Sequence, residues 1–245
     1  MKQYFSFNPH SHDFWPLYEA INIYYPIGIR PCYERDLYYE YEGLKKLGDL
    51  LVDNIHNAEN FNERFVSFSD QIQAQFGLHV QATADGQQPS FSFDLILEKT
   101  VIPGLTKIKK LCLAVSLLGD FYAIFGIDET IVIEDGDRFP RHAINAVIAS
   151  PYNEFEQPYL ELKKAVQKRY PEHRQVPFAI LATYLNGLYS RYNETEECMI
   201  YNALFDQKLT TNYSYQKRGN QYYGYDEWLR EGFDNTNISV QIDAP

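Results

Sequence analysis

The sequence predicts an α+β fold: an antiparallel β-meander flanked by N-terminal and C-terminal helices. Three observations carry this. Apolar residues recur at helical spacing up to about residue 76, the pattern switches to period two between 78 and 149, and helical spacing returns from 154. The 245 residues fit one domain, with a tyrosine-rich C-terminal segment from about 206.

Residues 1–32 are aromatic and interrupted by Pro9, Pro16, Pro26 and Pro31, which leaves room for a short helix over 17–23. Leu37, Tyr41, Leu44, Leu47, Leu51 and Ile55 then form one stripe of an amphipathic helix, with Glu34, Glu40, Lys45, Lys46 and Asp49 opposite. Gly43 and Gly48 weaken it by about 1 kcal/mol each relative to Ala. A second helix over 58–76 aligns Phe61, Phe65, Phe68, Ile72 and Phe76, a core stripe, and Gly77 suits the left-handed end of it.

The period-two region begins with a hairpin, 78–84 and 90–99, joined through Asp85-Gly86-Gln87-Gln88-Pro89. Strands follow at 111–118, 121–125, 130–133 and 142–149, with short turns that imply a meander covered by helices on one face. Helices are expected over 154–169, ended by Pro171, and over 178–189 and 194–205, the last capped by Asn193 or Thr195. One helical turn at 226–230 carries Trp228, and 238–242 has the pattern of an edge strand.

The net charge of -11 disfavours a nucleic-acid partner, because phosphate binding needs Lys and Arg gathered on one face. It suits solubility or a basic partner. Cys32, Cys112 and Cys198 are far apart and form no C-x-x-C pair, which fits a reducing compartment. Cys112 reads as a small core residue. The start, Met-Lys-Gln-Tyr-Phe-Ser-Phe-Asn-Pro, lacks a signal-type apolar stretch, and no apolar run is long enough to span a membrane. The cytoplasm is the expected location and no cofactor is implied.

Chemistry-bearing motifs are sparse. On an extended segment His10 and His12 would point the same way, and with Asp13 they are the candidate metal ligands. Glu161-Leu162-Lys163 has the E-x-K spacing of the PD-(D/E)xK nucleases, but it falls in an amphipathic helix where that superfamily has a strand. Cys198 would need His142 or His173 beside it to act as a nucleophile. No G-x-S-x-G, Walker-type or G-x-G-x-x-G sequence is present.

Two clusters remain. Glu134-Asp135-Gly136-Asp137 gathers carboxylates at a turn, and Tyr222, Tyr223, Tyr225 and Trp228 gather aromatics near the C-terminus. Lys217 and Arg218 are too few for a single-strand nucleic-acid groove. The Tyr, Asn, Gly and Ser mixture resembles adaptable protein-binding surfaces. The leading expectation is therefore a protein-binding module rather than an enzyme. Glu134, Asp135 and Asp137 would steer a basic protein and Tyr222, Tyr223, Tyr225 and Trp228 would anchor it. Bacterial immunity proteins, which neutralise basic toxins, follow the same physical logic. The alternatives are a metal-assisted hydrolase using His10, His12 and Asp13, and a structural subunit of a larger assembly.

Overall fold

A computed structural model describes residues 2–83, 87–133, 140–192, 194–209 and 216–233. The first layer is helical: α1 (Trp15–Tyr24), α2 (Arg35–Tyr39), α3 (Glu42–His56), α4 (Ala58–Phe61) and α5 (Ser67–Phe76). The stripe from Leu37 to Ile55 is thus divided between two helices. Tyr41 adopts extended backbone and precedes α3, and its hydroxyl donates to Asn22 O at 3.0 Å. The break lets α3 reach α1 so closely that a Cβ on Gly43 would lie 2.2 Å from Ile23 O. Between α4 and α5 the backbone continues through a widened turn, Asn62–Val66, and Gly77 closes α5 in the left-handed conformation at φ 62°.

The sheet runs in the order β1 (Val80–Ala82), β2 (Ser90–Ile102), β3 (Leu105–Ser116), β4 (Phe121–Val132), β5 (Arg141–Ile148), β7 (Gln216–Arg218). Neighbours from β1 to β5 are antiparallel, as the meander expectation required. The stretches 121–125 and 130–133 are one strand. The short β6 (Arg174–Gln175) and β7 join in parallel, β6 beside the start of β4 and β7 beside the end of β5. Lys217 and Arg218 therefore lie in the sheet and not in a free tail.

Helices and loops bury both faces of the inner half of this sheet, and the expectation of one covered face is corrected. Phe91, Phe93, Leu95, Leu113, Ile124 and Ile148 pack against Phe65 of the widened turn, Phe68 and Ile72 of α5, and α6 (Glu156–Arg169) through Tyr159 and Leu162. On the opposite face Cys112, Ala114, Ala123, Phe125 and Val147 meet α1, α3 and the chain from Val176 to Leu209.

That last stretch is far less helical than its spacing suggested. Among its described residues only α7 (Phe178–Leu181) and α8 (Ile200–Leu204) are helical. Between them the backbone bonds leave the local chain: Tyr184 bridges to Tyr4 and Met199, and Cys198 N donates to Leu188 O at 2.9 Å. Leu181, Leu188 and Ile200 are all fully buried, so no solvent face exists to favour an amphipathic helix, and tertiary partners satisfy the backbone instead.

The two helix glycines separate cleanly. Gly43→Ala forces a methyl against the Ile23 carbonyl and should cost about 1–3 kcal/mol. Gly48→Ala meets open space and should stabilise by up to about 1 kcal/mol. Urea unfolding midpoints of the two variants check both signs.

Candidate functional site

The covering layers stop along one line across the strands. Beyond it, β2 from Glu98, β3 up to Lys110, β4 from Asp128 and β5 up to Asn145 continue as a projecting arm with partly or fully exposed side chains, Glu129 excepted. β1 pairs only with Phe93–Leu95 and β7 only with Ala146–Ile148. The outer edges Glu98–Ile102 and Arg141–Asn145 consequently have no further strand beside them among the described residues. Both edges carry charge and a bulge, at Leu97 and at Asn145, devices that discourage edge-to-edge pairing. Asn145 uses its bulge to donate to Asp128 Oδ1 and Thr130 Oγ1, each at 2.9 Å.

The tip of the arm is apolar. Pro103 and Gly104 turn β2 into β3, with Gly104 at φ 73°, and Ile133 N donates to Gly104 O at 2.9 Å. Val101, Ile102 and Ile133 are 67%, 52% and 55% exposed and border an open concavity of about 470 Å³ with Pro103 and Leu105. One face of the arm behind this tip is polar. Lys109 Nζ lies 2.9 Å from Glu98 Oε2 and 3.1 Å from Glu154 Oε1, while Lys107 stands between Thr100 and Thr130 in the strand register.

Where the arm enters the body, an ionic cluster forms between sheet and cover, with Asp94 buried and Lys110 and Lys208 half-buried around it. Asp94 of β2 receives Lys208 Nζ at 2.5 Å and Lys110 Nζ at 3.1 Å, and Lys110 also reaches Glu129 Oε1 at 2.8 Å. Burial alone would raise the Asp94 carboxyl, but the two ammonium groups overcome it and hold it below the usual carboxylate range. Burial raises the thiol of Cys112, opposite Asp94 in the register, well above its ordinary value, so it stays protonated. Nearby, Tyr201 donates to Asp206 Oδ1 at 2.6 Å, Ser90 to Phe205 O at 3.0 Å and Ser116 to Leu204 O at 2.9 Å. The bonds from Ser90 and Ser116, with the Asp94–Lys208 pair, fasten the chain from Leu204 to Lys208 onto the sheet, and the Tyr201–Asp206 bond braces that chain internally. Period-two spacing assigns Asp94 to a solvated face, so its burial is invisible without knowing that both faces are covered.

The fold divides the tyrosine cluster by burial, although Tyr222 and Tyr225 stay packed edge-on with ring centroids 5.2 Å apart. Trp228 is no surface anchor: it is 0% exposed, stacked on Phe14 at 4.9 Å, and donates through Nε1 to Gln175 O at 2.7 Å. Its placement on a helical turn holds, as a 3-10 turn over Tyr225–Trp228. Tyr225 packs edge-on against Phe14, and Tyr223 lies under the Lys163 ammonium at 4.6 Å; Tyr222 remains exposed. Glu134, Asp135 and Asp137 lie outside the described residues, as do 238–242 and Asn193. Ile133, which precedes the acidic turn, is at the far end of β4 from Phe121, the residue that stacks on Trp228. At the usual rise per residue the two ends are roughly 35 Å apart.

The remaining candidates are likewise separated. A turn at Asn8–Ser11 replaces the extended segment, leaving His10 exposed and His12 buried, and Asp13 faces Arg230 at 3.4 Å. Among the described residues no three His, Cys, Asp or Glu side chains are placed to hold a metal ion. Glu161 bonds to Gln157 on the exposed side of α6, whereas Lys163 pairs with Glu227 at 2.6 Å, so the E-x-K spacing marks two different environments. Burial pushes the Cys198 thiol up to about 12, while His142 is exposed on β5 and His173 lies by Asp120.

No helix among the described residues is long and apolar enough to cross a membrane. Comparison with protein-family models, curated proteins and solved structures finds no match.

Asp94→Ala, which removes the buried carboxylate between half-buried Lys110 and Lys208, should destabilise by about 2–4 kcal/mol. Asp94→Leu combined with Lys208→Met should lose less than the single variant, and a denaturant-based double-mutant cycle measures the difference. Because the folded carboxyl is depressed, its contribution is complete above the unfolded value near 3.9 and disappears as pH falls through the folded value. Trp228→Ala should cost about 3–5 kcal/mol, against roughly 0.5 kcal/mol or less for exposed Tyr222→Ala.

Proposed function

We propose that this chain is a protein-binding module whose partner docks on the projecting arm of the sheet. The observation that carries the reading is the tip: Val101, Ile102 and Ile133 stand exposed around one concavity on strands rigidly continuous with the core. Contiguous exposed apolar side chains with a polar surround are the usual mark of a recognition surface. Glu134, Asp135 and Asp137 follow Ile133 directly in sequence, so the partner that fits is a basic protein presenting an apolar side chain. An inhibitor of such a protein is the narrower form of this function. Tyr222 belongs to the other end of β4 and has no part in the contact.

Ile102→Asp should weaken partner capture about 30-fold or more, as loss of a central apolar anchor does, without lowering the thermal midpoint. Replacing Glu134, Asp135 and Asp137 together by their amides should slow association and remove its salt dependence. The measurement is a pull-down of the tagged chain from its source cells, read by mass spectrometry, followed by surface-plasmon kinetics with the purified partner. A partner retained equally by Ile102→Asp, or one lost with Tyr222→Ala, would sink the tip as the docking site.

A further inference from the structure

Residues 2–14 cross the face that α1 and the C-terminal segments close, and two backbone junctions hold them. In the first, Phe5 N donates to Tyr184 O at 2.8 Å and Tyr184 N to Gln3 O at 2.9 Å. In the second, Asp13 N donates to Trp228 O at 2.8 Å and Arg230 N to Ser11 O at 3.0 Å. His12 occupies the second junction. Its ring stacks on Phe14 with centroids 5.9 Å apart and meets Tyr225 edge-on at 5.2 Å. Ser11 Oγ lies 2.9 Å from Nδ1, and Nε2 is buried with no hydrogen-bond partner among the described residues.

We propose that this junction is an acid-operated latch: neutral His12 keeps the N-terminal segment docked, and protonation of its ring releases residues 8–13 from the turn at Tyr225–Trp228. An imidazolium would carry a second N–H into a site where one ring nitrogen already lacks a partner, and a buried unpaired charge is costly. The surrounding groups do not relieve it. On its own segment His10 is exposed and Asp13 is engaged by Arg230. On the facing turn, burial pushes the Tyr225 phenol up to about 12 and keeps it neutral, Asp226 is exposed, and Glu227 is held by Lys163 and by Gln175 N. Behind them the Arg174 guanidinium lies 4.1 Å over Trp228, adding positive charge, and Glu231 is exposed. Burial accordingly lowers the His12 pKa from 6.5. The docked state therefore binds fewer protons than the released one. Docking is complete above about pH 6.5 and weakens as pH falls below it, by up to about tenfold per pH unit.

The test is hydrogen exchange at the backbone amides of Asp13 and Arg230 from pH 7.5 to 5.0, corrected for the intrinsic rate. The expected result is protection that falls below about pH 6.5 at these two amides while those of Phe5 and Tyr184 keep theirs. His12→Phe, which fills the same aromatic nest without a titrating nitrogen, should hold its protection flat. Constant protection down to pH 5.0 in the native chain, or an equal fall in His12→Phe, would overturn the latch. So would an NMR titration placing the His12 ring of the native chain at or above 6.5, a readout that does not depend on any variant folding.

Discussion

The inner halves of β2, β3 and β4 lie between two apolar layers, and much of the structure follows from that confinement. A strand covered on both faces cannot send alternate side chains to water. Ser90, Asp94 and Ser116 nevertheless occupy alternate positions there, so each must find its partner in the covering chain. Their partners are the carbonyls of Leu204 and Phe205 and the ammonium of Lys208. The polar face of the strands thereby dictates where the chain after α8 runs, and a segment with little regular structure is held as firmly as a helix would be.

Where the same strands leave the layers, the requirement reverses. Among the described residues neither outer edge has a strand beside it, and each must resist pairing with another chain, which the charges and bulges at Leu97 and Asn145 favour. Against that protected background the apolar tip is an exception to the local pattern. A functional surface is where such a departure is expected, because stability alone would favour polar residues at Val101, Ile102 and Ile133.

The two ends of the described chain meet through aromatic packing. Trp228 fills the space between Phe14 and Phe121 while its indole N–H satisfies the Gln175 carbonyl. His12 borders the same nest through Phe14 and Tyr225. Among its described residues, the tyrosine-rich segment that composition alone assigns to recognition is thus largely spent on closing the fold, with Tyr222 left exposed.

Spacing by itself determined the α+β class, the antiparallel sheet between two sets of helices, the left-handed stop at Gly77 and the burial of Cys112, because each rests on local periodicity or backbone stereochemistry; it divided β4 into two strands. Tertiary structure decided the rest. Periodicity distinguishes two faces but cannot say whether water or protein lies beyond them, so the buried role of Asp94 and the loss of helix after Leu181 were not readable. Nor does sequence distance measure separation along a strand. Trp228 and Ile133 are brought to opposite ends of β4, one into the core and the other to the exposed tip, because β4 runs the length of the sheet and only its first half is covered.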